Sequence, residues 1–282
     1  MTSRSIALST VTLLCLVHSA FAEPTEDELT KRAESVRKRL DGQGFTVLVE
    51  APFVVVGDES AGTVKYHTTG IMRWFIKLIE KDYFEKRPNK LIEVWLFKNE
   101  KNFKAGAKKY FGDEPDTPYG YYSSEHDAMV MNIGPGAGTL THEIVHPYIE
   151  ANFPEGPSWF NEGLASLYER PFERKAHIVG LANWRLPNLK RQIRAKTLPA
   201  LPTLLGTTRD GFYNADFDAY AYARYLLMYL QEKDKLRDFW VKFRKDKDLT
   251  GKVALEEILG EKLETFEPKW RKWVLELSGD NR

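Results

Sequence analysis

The run His142-Glu143-Ile144-Val145-His146, followed by Glu162 within Trp159-Phe160-Asn161-Glu162-Gly163-Leu164-Ala165, constrains this chain more than any other feature. Residues four apart on an α-helix share a face and lie about 6 Å apart along the axis. Two imidazoles at that spacing can close on a single metal ion. Hydrolytic zinc sites take three protein ligands, with His₂Glu among the standard sets, and keep a fourth position for water. His142, His146 and Glu162 therefore form a candidate ligand set for one Zn²⁺ per chain. Glu143 is the candidate general base beside that water. Ile144, Val145, Tyr148 and Ile149 give the same helix an apolar side and leave the pentad on a narrow polar stripe.

The first 22 residues have the form of an export leader. Arg4 supplies a positive start, Ile6 to Val17 an apolar stretch too short to span a bilayer, and Ala20-Phe21-Ala22 a small-x-small cleavage site. Cleavage near Ala22-Glu23 removes 22 of the 282 residues and leaves a 260-residue exported chain without a membrane span. That length supports a substantial core. The single cysteine, Cys15, leaves with the leader, so thiolate ligands and a cysteine nucleophile are excluded from the mature chain. Export without disulfides suits a periplasmic or secreted bacterial protein. The formal charge of +1 falls to zero with the loss of Arg4, since residues 1–22 hold no Asp or Glu. Nothing in that balance favours nucleic acid or an anionic membrane.

The spacing of apolar residues predicts an α+β layout: a small mixed sheet with helices over residues 23–136, and a helical part over 137–282 carrying both motifs. The active-site helix lies at their junction, and the two parts together make one catalytic domain. Residues 26–40 read as a charged helix, either solvated or covering the site as a pro-segment. Residues 45–56, interrupted by Pro52, predict two short strands or an edge strand with a bulge. A helix follows over 64–84, then a central strand at Leu91–Phe97, a helix at 100–110, and a hairpin over 119–133 whose returning strand is Ala128–Asn132. The Gly-rich run 134–138 is a connection into the motif helix, because no Gly-Lys-Ser/Thr follows it. Beyond Glu162 the pattern predicts helices only, near 157–169, Leu189, 218–231, 235–244 and 264–277.

The run Gly138-Thr139-Leu140-Thr141-His142-Glu143-Ile144-Val145-His146-Pro147 through Asn161-Glu162-Gly163 resembles the gluzincin metallopeptidases. More closely, it resembles the bacterial peptidase MA-like family, with its DUF1570-type members. The resemblance runs from about Leu91 to the Tyr229-Leu230 pair. It implies a zincin-like fold and an exported zinc peptidase whose substrate is a peptide or protein. His142, His146 and Glu162 would be the ligands, and Glu143 the base that serves the water and then the leaving amine. The family also implies an edge strand that takes substrate by β-addition, here Ala128–Asn132. A tyrosine would face the metal from the helix after the site; Tyr220 fits best and Tyr222 second, and their different helical faces allow only one to serve.

Three departures from the family pattern matter. Pro147 predicts a kink or an end to the helix straight after His146. Ser166 stands where some relatives carry an Asp that orients a ligand histidine, which leaves Asn161, Glu169 or a backbone carbonyl for that task. No Gly-x-Met-Glu-Asn motif is present to capture a free amino terminus. The alternative reading is a non-catalytic binding or envelope-scaffold protein that keeps the fold. The intact Glu143 stands against it, since a purely structural zinc site has no use for a base. Trp159 and Phe160 are read as core packing, and His126 and His177 as non-catalytic.

Overall fold

Runs of β-branched and aromatic residues build a five-stranded sheet whose two faces are both covered. The computed structural model describes residues 23–123 and 125–278, so the leader predicted over 1–22 lies outside the described residues. Helix α1 (Glu26–Arg39) is capped by the reciprocal Thr25–Glu28 pair. Strands β1 (Thr46–Glu50) and β2 (Phe53–Gly57) form a hairpin across the cis Ala51-Pro52 bond, the first of the two arrangements expected there. A continuous helical stretch follows, made of α2 (Ala61–Lys65), a π-helical Tyr66–Met72 and α3 (Arg73–Asp82). Strand β3 (Ile92–Phe97), helix α4 (Glu100–Gly106) with its π-helical extension Ala107–Phe111, and strands β4 (Gly120–Ser123) and β5 (Ala128–Asn132) complete the sheet.

The strand order is β1-β2-β3-β5-β4, with parallel pairs at the centre and an antiparallel pair at each edge. β3 is central, as expected from its mostly apolar run, which only Glu93 interrupts. β5 is internal, however, so the edge strand next to the site is β4 and not Ala128–Asn132. Side chains along the inner strands alternate between two cores. Phe53, Val94, Leu96 and Met129 face one, while Val54, Trp95, Phe97 and Val130 face the other.

α1 buries Leu29, Ala33 and Val36 in the second core, on the face of the sheet away from the motif helix. Arg32 and Arg39 of α1 also reach the buried Glu93 of β3. The charged N-terminal helix is thus neither free in solvent nor a cover over the site.

The motif helix α5 (Gly138–Asn152) and α6 (Ser158–Leu167) pack in the first core. They are followed by α7 (Leu186–Ala195), α8 (Leu201–Leu205), α9 (Arg209–Tyr213), α10 (Ala219–Glu232), α11 (Leu236–Phe243), α12 (Lys252–Leu259) and α13 (Leu263–Glu276). Two departures from the expected pattern stand out. A two-stranded hairpin, β6 (Pro171–Arg174) and β7 (His177–Gly180), interrupts the helical half. α5 also runs through Pro147 to Asn152 without ending. The missing N–H is offset by contacts further along: Tyr148 donates to Glu80 at 2.7 Å, and the Asn152 side chain bonds the backbone of Glu85 and Lys86. No helix among the described residues is long and apolar enough to cross a membrane.

Candidate metal centre

The site forms where three helices meet, and two glycines let them approach. Gly138 begins α5 against the backbone at the end of α6; a Cβ there would lie 2.6 Å from the Glu169 carbonyl oxygen. Thr141 Oγ1 donates to the Tyr168 carbonyl at 2.6 Å and fixes the same junction. Gly163 follows Glu162, and a Cβ on it would sit 3.0 Å from that of Ala223 in α10. The glycine of the Asn-Glu-Gly run thereby admits α10, whose first turn carries Tyr220.

Ile144, Val145, Tyr148 and Ile149 are buried, which turns His142, Glu143 and His146 toward a cleft. The donor atoms of His142, His146 and Glu162 all lie within 4.8 Å of one another. Glu162 Oε2 is the meeting point, 3.3 Å from His142 Nε2 and 3.9 Å from His146 Nε2. Glu143 Oε2 lies 4.0 Å from His146 Nε2. The three residues named from the motif spacing thus converge and can hold a metal ion, with Glu143 at their side.

Two of the three candidate ligands, His146 and Glu162, have a hydrogen-bond partner behind them, and a carboxylate faces the third. Asn161 Oδ1 lies 2.8 Å from His146 Nδ1; an amide oxygen only accepts, so a proton on Nδ1 would donate to it and leave Nε2 as the nitrogen turned to the cluster. Glu169 Oε1 faces His142 Nδ1 at 3.5 Å, longer than a formed hydrogen bond. Asn161 and Glu169 are two of the three groups the sequence offered for this task. Ser166 takes no part, its buried hydroxyl having no hydrogen-bond partner among the described residues. Glu169 is itself held by a bidentate ion pair with Arg185, at 2.6 and 2.9 Å, and by Asn183 at 2.7 Å. The fully buried Arg224 ties Asn183 to the end of α6, donating to Asn183 Oδ1 at 2.9 Å and to the Ser166 carbonyl at 2.5 Å.

Tyr213 is the site residue that sequence reasoning missed. Its hydroxyl donates to Glu162 Oε1 at 2.6 Å, which leaves Oε2 as the oxygen turned to the histidines. Tyr220 lines the same cleft, and its hydroxyl has no hydrogen-bond partner among the described residues. Tyr222 points elsewhere. It is buried against Trp270, with ring centroids 5.0 Å apart, and donates to Glu267 and the Pro199 carbonyl. Trp159 and Phe160 are core residues. His126 lies beside Ser123 in the β4–β5 turn, and His177 bonds Asp82 at 2.5 Å, pinning β7 to α3.

The electrostatics of the cluster suit a cation. Glu143, Glu162 and Glu169 surround the histidines with Arg185 as the one guanidinium in contact, so two negative charges stay uncompensated when the imidazoles are neutral. Burial opposes charge on His142, but Glu162, Glu169 and Glu143 outweigh it and raise the imidazole pKa to about 10. Burial likewise opposes ionisation of Glu162, yet His146 and His142 with the Tyr213 bond bring it to about 2. Glu169 is also brought to about 2, against its burial, by His142 and Arg185. A proton on His142 answers the same excess of negative charge that a divalent cation would.

Comparison with protein-family models and with curated proteins finds no match for the chain.

Proposed function

We propose that the chain is an exported, zincin-like zinc peptidase that hydrolyses peptide bonds. The observation that carries this reading is Glu143. A carboxylate stands beside two imidazoles and a carboxylate that converge on one point, at the floor of a cleft of about 880 Å³. The donor set fits zinc, whose tetrahedral bonds of about 2.0–2.1 Å place ligand atoms roughly 3.3 Å apart. The 3.3 Å between His142 and Glu162 already meets that spacing.

His142, His146 and Glu162 would hold the zinc, which would act as a Lewis acid that makes water nucleophilic near neutral pH and polarises a carbonyl. The chain's own residues do the rest. Glu143 accepts a proton from the water as its oxygen forms the new C–O bond, then hands that proton to the amine nitrogen as the C–N bond breaks. The free hydroxyl of Tyr220 donates to the carbonyl oxygen as negative charge builds on it. Burial, with the nearby charge of Glu162, raises the phenol pKa above its ordinary value and keeps Tyr220 a donor. The outer edge of β4 pairs with no other strand among the described residues, so its backbone can receive an extended peptide beside Tyr121 and Tyr122 at the cleft wall.

Metal analysis of the chain without residues 1–22, together with a Glu143→Gln variant assayed on a mixed peptide library, tests this reading. The expected result is about one zinc per chain in both proteins and cleavage by the wild type only. Absence of zinc from both would overturn it. Zinc without cleavage by the wild type would favour a binding protein that keeps the fold.

A further inference from the structure

The reacting groups do not lie at the blind end of a pocket. His142, Glu143 and Tyr220 line two clefts at once. One arm, of about 880 Å³, runs past Tyr122, Ile149, Phe153 and Tyr213. The other, of about 490 Å³, runs past Gly136, Thr139, Tyr119 and Trp184. A substrate laid over Glu143 therefore has room for chain on both sides of the reacting bond.

An enzyme that trims chain ends needs a fixed charge to receive the terminal amine or carboxylate. The smaller arm offers none. Its charged walls besides the catalytic groups are Glu169 and Arg185, which neutralise each other in a bidentate pair at 2.6 and 2.9 Å. What this arm presents instead is aromatic surface. Trp184 is 63% exposed and Tyr119 48% exposed, with rings 21° from parallel and centroids 6.5 Å apart. Arg185 stacks on Trp184 at 4.2 Å and on Tyr220 at 5.0 Å, so the aromatic wall continues to the reacting centre. In the larger arm, Glu150 is paired with Lys90 at 3.3 Å. Arg209 stands exposed at the rim, 5.9 Å from the Tyr213 ring.

We infer that the chain is an endopeptidase: it cleaves internal peptide bonds, with the Tyr119–Trp184 wall taking an apolar, preferably aromatic, substrate side chain. This inference rests on the zinc-peptidase reading and adds to it the class of substrate.

The test uses peptides cleaved by the zinc-loaded wild type, each made with free ends and again with an acetylated N-terminus and an amidated C-terminus. The expected result is cleavage at the same internal bond with unchanged kcat/KM. A terminus held by a buried charge would instead lose on the order of a hundredfold when blocked. Trp184→Ala should raise KM roughly three- to tenfold for peptides with an aromatic residue near the cleaved bond, with kcat and zinc content unchanged. Stepwise release of residues from one end, or cleavage abolished by blocking an end, would overturn the inference while leaving the zinc-peptidase reading intact. Joint loss on C-terminal amidation and in Arg209→Ala would make Arg209 a carboxylate receptor and the enzyme a carboxypeptidase. Cleavage that persists in Glu143→Gln, or a wild type without zinc or without activity, would instead defeat the zinc-peptidase reading, and this inference with it.

Discussion

Glu93 and Glu162 are both buried carboxylates, 2% and 5% exposed, so burial alone does not tell them apart. Their surroundings differ in kind. Glu93, on the sheet face beneath α1, receives Arg32 at 2.6 Å, Arg39 at 3.3 Å and the Trp95 indole at 2.7 Å. Every one of these groups is a donor, and two carry positive charge. Glu162 receives one donor, Tyr213, on one oxygen and turns the other toward two imidazole nitrogens that can serve as ligands. The chain compensates the first carboxylate with permanently charged guanidinium groups and leaves the second to imidazoles, which answer its charge only when protonated. Burial of a charge therefore does not by itself identify a site; burial without internal compensation, facing a cleft, does.

The sharpest way to break this comparison is to remove each carboxylate in turn and read zinc affinity and stability separately. Zinc sites with four protein ligands bind with about 10–16 kcal/mol, so losing one ligand costs roughly 3–4 kcal/mol. Glu162→Ala should accordingly lower zinc affinity several hundredfold or more in competition with a chelator. A loss smaller than about tenfold would mean that Glu162 is not the third ligand. Glu93→Gln should do the opposite, leaving zinc affinity unchanged and destabilising the fold. Removing one partner of a fully buried pair costs about 3–5 kcal/mol, but Arg32 and Arg39 are about half exposed and can turn to water. A loss of about 2 kcal/mol in denaturant unfolding follows. Since the two carboxylates lie on opposite sides of the sheet, the effects should also add in the double variant.

How far each cluster was legible in the sequence follows from which of its contacts are local. His142, Glu143 and His146 stand out because four-residue spacing on a helix is itself a geometric statement, and Glu162 stands out through its Asn-Glu-Gly setting. β3 and β5 are legible as strands because each is a short, mostly apolar run rich in β-branched or other large hydrophobic residues. The neighbour relations were not legible. β5 lies inside the sheet because it pairs in parallel with β3, and nothing within Ala128–Asn132 encodes that partner. The β6–β7 hairpin carries no local signal, for a chemical reason. Its turn residues, Lys175 and Ala176, both adopt positive φ without the Gly or Asn that normally announces such a turn, and its strands are four residues each. At Pro147 a local rule meets a tertiary override: the contacts of Tyr148 and Asn152 hold the helix past the missing hydrogen bond.

Tyr213 is the hardest case, and the smallest expected effect belongs to it. It stands 51 residues from Glu162, on the five-residue helix α9, with no periodicity to suggest that it faces a metal centre. Its role can be separated from simple packing because the ring is 45% exposed and its neighbour Phe212 provides the buried anchor. Tyr213→Phe keeps the ring and removes only the donor to Glu162 Oε1. Stability should change by no more than about 1 kcal/mol, the usual worth of one hydrogen bond. Zinc affinity should fall about tenfold, because the carboxylate is then free to rotate and lone-pair competition at Oε2 is no longer set by a fixed partner. The same substitution at Tyr220 should leave zinc affinity unchanged and lower kcat, since its hydroxyl bonds no ligand. If Tyr213→Phe lowers stability and zinc affinity in equal measure, α9 merely packs there. If the two tyrosine variants behave alike, the division between holding the ligand and meeting the substrate is wrong, and with it the contrast between a carboxylate compensated from within and one arranged for a metal.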